Sequence, residues 1–157
     1  MADKPITKAG MDKILEELQK LIKVDREELK IVIQEARELG DLKENAEYHS
    51  AKEKQSLLEG RIGQLQAIVA SSEIIDTTTV KSDKIVFGAY VTLLNVDEDK
   101  TMTYQIVGEV ESDLKNGKIS LSSPLGKALI GRDKGDEIIV KAPKGDIEYE
   151  VESFEYH

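Results

Sequence analysis

The chain has 157 residues, enough for one domain or two small ones, and a formal net charge of −9. This acidic balance argues against a protein that grips nucleic acid over a broad face, because neutralising phosphates requires net positive charge. The absence of cysteine excludes disulfides, thiolate zinc sites, iron–sulfur clusters and a cysteine nucleophile, and no run approaches the roughly 18 apolar residues of a membrane span.

The first residues lack the apolar core of a signal peptide, and we expect a cytoplasmic protein.

The N-terminal half predicts long helices. Residues 8–72 contain no proline and are rich in helix-forming Leu, Ile, Glu, Lys, Gln and Ala. Apolar residues recur there at the seven-residue spacing of a coiled coil. The predicted seam positions are Met11, Leu15, Leu18, Ile22, Asp25, Leu29, Val32, Ala36 and Leu39 in a first helix, and Tyr48, Ala51, Gln55, Leu58, Ile62, Leu65 and Val69 in a second.

The two series predict an antiparallel hairpin. Partners across it, such as Ala36 with Ala51 or Leu29 with Leu58, have sequence numbers with a constant sum, so the chain must reverse near residue 43 or 44. Each arm of about 30 residues would span roughly 45 Å at the helical rise. The polar seam residues are expected to specify register at some cost in stability.

Acidic residues are concentrated where the chain reverses. Gly40 suits the end of the first helix, Asp41 could cap the second helix, and Glu44 could complete a capping box. The same carboxylates, together with Glu47, are oxygen ligands of the kind that Mg²⁺ takes from proteins. Two carboxylates cannot hold Mg²⁺ tightly alone, but they could complete a site supplied mostly by another protein. Both roles remain open from spacing alone.

Two cations flank this acidic segment. Arg37 and Lys52 would lie at similar heights beside the seam, where they could follow a short single-stranded phosphate chain or be ordinary surface charges. His49 is expected to be a surface or packing residue, because no second His or Cys accompanies it. We find no nucleophile–base pair or phosphate-cradling glycine loop, so an enzyme with its own active site is not supported.

The second half predicts short strands. The polar segment 76–84 is the expected linker, and alternating residues predict strands within 86–96, 101–107, 118–122 and 146–152. One short helix is expected from Pro124 to Ile130. The predicted fold class is therefore α+β. It comprises an antiparallel two-helix coiled coil in residues 1–75, a linker in 76–84 and a small antiparallel-sheet domain with one short helix in 85–157.

Five segments carry a resemblance to a known family. EARELGDLKENAEYH (residues 35–49) resembles the tip segment of the Gre family of bacterial transcript-cleavage factors, which act in transcription elongation. VFGAYV (86–91), YQIVG (104–108), ISLSSP (119–124) and ALIG (128–131) are similar to the C-terminal half of the same family. The resemblance covers both halves of the chain in order.

The resemblance implies a function at RNA polymerase. In this family a C-terminal domain of FKBP-like fold docks at the rim of the secondary channel, and the coiled coil enters the channel. It implies that Asp41 and Glu44 help to hold the second, weakly bound Mg²⁺ and position the attacking water. The polymerase then cleaves the extruded 3′ end of backtracked nascent RNA. Arg37 and Lys52 fall where the family's basic patch contacts that RNA.

The resemblance also implies partners and cofactors. Ser123 and Pro124 match a loop associated with docking on the polymerase. The factor would have no cofactor of its own, only the Mg²⁺ shared with the polymerase. Within the family, the sparse basic patch favours the branch that releases fragments of a few nucleotides. Because the hairpin satisfies its own seam, we expect a monomer.

Three other functions are weighed against this one. A related factor that only occupies the channel would depart from the Asp41 and Glu44 pair at the tip. A prolyl isomerase needs an apolar, aromatic-rich pocket, whereas this half has few aromatic residues, some of which must form its core. A coiled-coil chaperone would need exposed apolar residues near the tip, which is expected to be charged.

Overall fold

A computed structural model describes residues 4–157 as two compact units. One unit is Met11–Ser71, and the other is Ser72–His157 together with residues 4–10. The predicted N-terminal domain of residues 1–75 therefore differs at both ends, because a short N-terminal strand pairs within the second unit. Among the described residues, no helix is both long and apolar enough to cross a membrane.

The first unit is a helical hairpin, as predicted. Helix α1 (Lys8–Lys20) continues through a π-helical segment, Leu21–Asp25, into helix α2 (Arg26–Arg37). Residues 38–45 form the turn, which includes the predicted reversal point, and helix α3 (Ala46–Ser71) returns along α2.

The seam of the hairpin follows the prediction throughout α3 and departs from it in the other arm only at Leu15, Val32 and Leu39. All seven predicted positions of α3 are buried or half-buried. In the first arm Ile14 and Ile33 are buried, and the predicted Leu15 and Val32 are exposed. Residues three and four apart share a helix face, so heptad spacing alone does not decide between Ile14 and Leu15. The same ambiguity applies to Val32 and Ile33, since Leu29 and Ala36 on either side keep their predicted places in the seam. The predicted seam residue Leu39 lies in the turn and is exposed.

Ion pairs cross the hairpin at two heights. Arg26 places Nε and Nη2 at 3.0 and 2.7 Å from the two carboxylate oxygens of Glu59. Arg61 binds Glu17 in the same way, with Nη2 2.9 Å from Oε2. Such two-pronged contacts fix geometry as well as adding energy. They hold the arms in register beside a narrow apolar seam.

The second unit begins with a strand that the sequence did not reveal. Strand β1 (Lys4–Thr7) pairs in parallel with β2 (Ser72–Ile75), which directly follows α3. The Thr7 hydroxyl accepts the Gly10 amide at 3.0 Å and donates to the carboxylate of Glu111, which also accepts the Thr7 and Gly108 amides. Four residues are too few to establish an alternating pattern, so tertiary pairing defines this strand.

The larger sheet has five strands in the order β5-β4-β3-β7-β6. Its β4–β5 ladder is parallel, so the sheet differs in one ladder from the antiparallel prediction. The reason is the connection after β4, whose two 3₁₀ turns return the chain in the same direction. The strands are β3 (Tyr90–Asn95), β4 (Lys100–Val107), β5 (Lys118–Ser120), β6 (Glu137–Ala142) and β7 (Gly145–Glu155).

One face of this sheet carries the core. Val91, Leu93, Ile106 and Val151 are fully buried there, and Leu129 of helix α4 (Pro124–Leu129) joins them. The predicted short helix is thus confirmed. Residues 76–89 contain no helix or strand, so the strand predicted from residue 86 begins only at Tyr90.

Candidate functional site

The turn between α2 and α3 is closed by Asn45. Its Oδ1 accepts the backbone amide of Tyr48 at 3.0 Å, which makes Asn45 the N-cap of α3. Its Nδ2 donates to the backbone carbonyl of Ala36 in the last turn of α2. Of the two roles left open for Asp41 and Glu44, capping of the second helix is not the one observed, because α3 begins only at Ala46.

A sequence signal for this cap exists. Asn is among the most favoured N-cap residues, and Asn45 stands immediately before the helix-forming segment that starts at Ala46. The capping-box spacing of Asp41 and Glu44 competed with that signal. The contact to Ala36 crosses from one arm to the other and has no signature in local spacing.

The carboxylates of Asp41 and Glu44 at the tip do not cap a helix. Asp41 is exposed, and its Oδ1 accepts the Lys43 amide at 3.0 Å in a local Asx turn. Its second oxygen has no partner among residues 4–157. Glu44 is exposed, and its carboxylate forms neither a hydrogen bond nor an ion pair with any described residue. Three of the four carboxylate oxygens are therefore available to a ligand.

Both carboxylates border one open hollow of about 360 Å³ at the tip. Within residues 4–157, no three Asp, Glu, His or Cys side chains lie close enough to hold a metal ion by themselves. Two available carboxylates nevertheless fit a Mg²⁺ ion whose remaining ligands come from elsewhere, since Mg²⁺ takes one or two carboxylates from a protein. The hollow is lined by Leu39, Asp41, Glu44, Asn45, Ala46 and Glu47.

The predicted cations lie at the tip end of the hairpin, and one of them contacts an aromatic ring. The guanidinium carbon of Arg37, the last residue of α2, is 5.8 Å from the centroid of the Tyr48 ring, within the range of a cation–π contact. Lys52 follows Tyr48 by one turn of α3, so the two share a helix face. Its Nζ donates to Oε1 of Gln55 at 2.7 Å. Both cations are exposed, and neither forms an ion pair with the described part of the chain.

His49 braces the turn, a role that its spacing did not indicate. Its Nε2 lies 3.1 Å from the carbonyl oxygen of Lys43, which requires the ring to donate from Nε2. Its ring meets the neighbouring Tyr48 ring edge-on at 5.7 Å. His49 and Asn45 thus hold the turn from the α3 side.

The tip is less uniformly charged than expected. Leu39 and Leu42 are 67% and 41% exposed and flank Asp41 in the turn. Leu39 also lines the acidic hollow. The tip therefore presents carboxylates beside apolar surface.

The predicted docking residues lie in the other unit, at the start of α4. The Ser123 hydroxyl caps α4 by accepting the Gly126 amide at 3.0 Å, and it donates to the Ser120 carbonyl at 2.6 Å. Pro124 occupies the first helical position and is exposed. Ser123 therefore shapes this loop, and Pro124 is the residue that can meet a partner.

Comparison with known proteins gives consistent matches over the whole chain. The family model described as "Transcription elongation factor, N-terminal" matches residues 4–74, and "Transcription elongation factor, GreA/GreB, C-term" matches residues 80–156. Transcription elongation factor GreA of Anaeromyxobacter sp. (strain K) is 51% identical over 149 residues, covering 95% of this chain and 90% of that protein. The GreA of Thioalkalivibrio sulfidiphilus (strain HL-EbGR7) is 50% identical over 99% of both chains.

A solved structure that this chain matches is the crystal structure of GreA factor homolog 1 (Gfh1) of Thermus thermophilus. It is 26% identical, covers 98% of this chain and 99% of its own, and aligns with a TM-score of 0.44.

Proposed function

Since the chain belongs to the GreA/GreB family of transcription elongation factors, we propose that it stimulates the cleavage of backtracked RNA by RNA polymerase. In this proposal the sheet unit docks at the rim of the polymerase secondary channel and the helical hairpin enters the channel. The polymerase cleaves the extruded 3′ end of the nascent RNA, and this protein is an accessory factor in the cytoplasm. Cleavage would rescue arrested complexes.

The observation that carries the proposal is the free state of the tip carboxylates. Folding uses one oxygen of Asp41 and none of Glu44 among the described residues. Exposed carboxylates on a turn that is braced by Asn45 and His49 suit a role toward a partner. Their function as ligands therefore does not compete with helix capping.

Asp41 and Glu44 would hold the second, weakly bound Mg²⁺ together with ligands from the polymerase. When bound, this ion activates water and stabilises charge on the reacting phosphodiester. The contribution of this chain is to deliver two negatively charged groups on one short turn. Their free oxygens can also accept hydrogen bonds from the attacking water and so orient it.

Arg37 and Lys52 would bind the phosphates of the extruded RNA. Tyr48 supports this role because its ring contacts the guanidinium of Arg37. Lys52 offers a point charge and cannot make the bidentate contact of an arginine. Ser123 and Pro124 are proposed to form part of the docking loop, with Pro124 presenting a rigid exposed ring.

The test is RNA cleavage in a stalled, backtracked polymerase complex that carries end-labelled RNA and Mg²⁺. We expect the parent protein to shorten the RNA rapidly from its 3′ end. Asp41→Asn keeps the shape of the side chain but removes its charge. It should lower the stimulated rate by more than about tenfold, since removing even an outer-shell partner of a metal ligand has such an effect.

Binding to the polymerase, measured by competition with labelled parent protein, should be unchanged in Asp41→Asn. Cleavage by Asp41→Asn at the parent rate would contradict the metal role. Intact RNA in the presence of bound parent protein would instead indicate a factor that only occupies the channel.

A further inference from the structure

One side chain, that of Asn45, forms hydrogen bonds with the end of α2 and with the start of α3. The last carbonyls and first amides of a helix have no partner within the helix itself. At this turn the Ala36 carbonyl accepts both the Leu39 amide, at 3.2 Å, and Nδ2 of Asn45. The Tyr48 amide, in the first turn of α3, donates to Oδ1 of the same Asn45. A single carboxamide therefore closes both helices and joins the two arms.

The contact between Asn45 and Ala36 is anchored at a buried residue of the hairpin. Ala36 is 3% exposed and lies in the seam, as does Ala51 of α3. Asn45 is half-buried, whereas its neighbours Glu44 and Ala46 are exposed. The contact thus connects the packed seam to the start of α3, directly beside the acidic residues.

The rest of the turn has few other restraints. Gly40, which precedes Asp41, has a positive φ of 134°. Among the described residues, the side chain of Asp41 accepts a hydrogen bond only from the Lys43 amide. His49 restrains the carbonyl of Lys43 from α3. Among the described residues, Asn45 is the side chain that hydrogen-bonds to both helices at this end, and a cation–π contact between Arg37 and the Tyr48 ring joins the same two helices.

We propose that Asn45 is a positioning residue for the acidic tip: it fixes the turn so that Asp41 and Glu44 are presented together to a divalent cation. The inference rests on the proposed function, because it assigns how that same site is held. Metal ligands must be held to within about 0.5 Å of their working geometry, which requires supporting contacts of this kind.

Two substitutions separate this role from helix capping. Asn45→Ser and Asn45→Asp both retain a preferred N-cap oxygen for the Tyr48 amide. Neither offers a donor that reaches the Ala36 carbonyl, because serine is too short and aspartate has only acceptors. Serine is neutral, whereas aspartate adds a negative charge near the tip. A change in cleavage that both variants show therefore cannot come from charge and reports the loss of the hydrogen bond between Asn45 and the Ala36 carbonyl.

The experiment measures the cleavage rate in backtracked complexes at saturating factor while Mg²⁺ is titrated. For both variants we expect parental helicity and polymerase affinity, a maximal rate lowered by about tenfold and a higher half-saturating Mg²⁺ concentration. Asn116→Ser is the matched control, since Asn116 lies in the sheet unit and bonds only locally to Asp113. It should leave both quantities unchanged.

Parental rate and Mg²⁺ dependence in either Asn45 variant would overturn the positioning role. Asp41→Asn is measured in parallel to test the proposed function itself. If Asp41→Asn cleaves like the parent, the metal role fails. If only the Asn45 variants do so, the proposed function stands and the positioning role is wrong.

Discussion

Asp41 and Glu44 differ in how far the fold restrains their carboxylates. One oxygen of Asp41 is held by the Lys43 amide, while Glu44 has a longer side chain without a partner in the described residues. Asp41 is therefore the more ordered ligand. Glu44 is the more adaptable one and loses more side-chain entropy when it binds.

Glu44→Gln should lower stimulated cleavage by at least about tenfold, with part of the loss recovered at high Mg²⁺, because a ligand charge is removed without a change in shape. The matched control is Glu53→Gln, which removes the same charge from an exposed position farther along α3. Both proteins are compared by cleavage of end-labelled RNA across a Mg²⁺ titration. Equal losses in the two variants would indicate a general effect of charge.

Tyr149 makes the sheet unit sensitive to alkaline pH. Burial raises the pKa of its phenol above the ordinary value of 10.0, assisted by the negative charges that Tyr104 and Glu98 can carry nearby. The folded state therefore favours the neutral phenol. The stability that this preference contributes is fully present at pH values below the pKa of Tyr149 in the unfolded chain. It is lost as the pH rises through the higher pKa that Tyr149 has in the folded state.

Tyr149→Phe should remove this part of the alkaline destabilisation. We expect the free energy of unfolding of the parent to fall more steeply above about pH 10 than that of the variant. Urea unfolding followed at a series of pH values measures both slopes. Identical slopes would show that the Tyr149 phenol has the same pKa in the folded and unfolded chains.

At the scale of elements, the seam of α2 contains Ile33 in place of the predicted Val32. Ile33 is 9% exposed and Val32 is 47% exposed, the reverse of the heptad prediction. Ile33→Ala should lower the free energy of unfolding by about 2–4 kcal/mol, and Val32→Ala by less than about 1 kcal/mol. Urea unfolding monitored by helical circular dichroism compares them. A larger loss of unfolding free energy in Val32→Ala than in Ile33→Ala would show that Val32 lies in the seam, as the uninterrupted heptad predicts.

The sequence predicts the hairpin well because its evidence is periodic. Seven apolar and polar positions of α3, from Tyr48 to Val69, repeat without interruption, and all are at least half-buried. Strand β1 and the parallel β4–β5 ladder were not predicted, since pairing partners distant in sequence define them. Local spacing indicated Asp41 as a possible cap, although Asn45 satisfies the same residue preference.

The candidate site was predicted less from pattern than from resemblance. Spacing left both capping and metal binding open for Asp41 and Glu44. The resemblance favoured the metal role, and the geometry removes the competing cap. Contacts across the turn, such as Asn45 with Ala36 and His49 with Lys43, depend on three-dimensional closure and carry no local signature.

For the molecule as a whole, the net charge of −9 limits how RNA can be held. Arg37 and Lys52 form a small exposed basic area beside acidic residues, so free RNA should bind weakly and with strong salt dependence. The polymerase would supply most of the affinity by presenting the RNA next to the tip. The monomeric state stays a prediction.

The most direct measurement of whether the tip reaches the polymerase metal replaces the Mg²⁺ of a backtracked complex with Fe²⁺. When hydrogen peroxide is added, the bound Fe²⁺ gives it one electron and becomes Fe³⁺, and the peroxide splits into hydroxide and a hydroxyl radical that cuts the polypeptide near the metal. We expect cuts in this chain confined to the turn of residues 38–45 and the adjoining ends of α2 and α3. Cuts in the five-stranded sheet, or no cuts while the protein is bound, would contradict the proposed delivery of Asp41 and Glu44 to the active site.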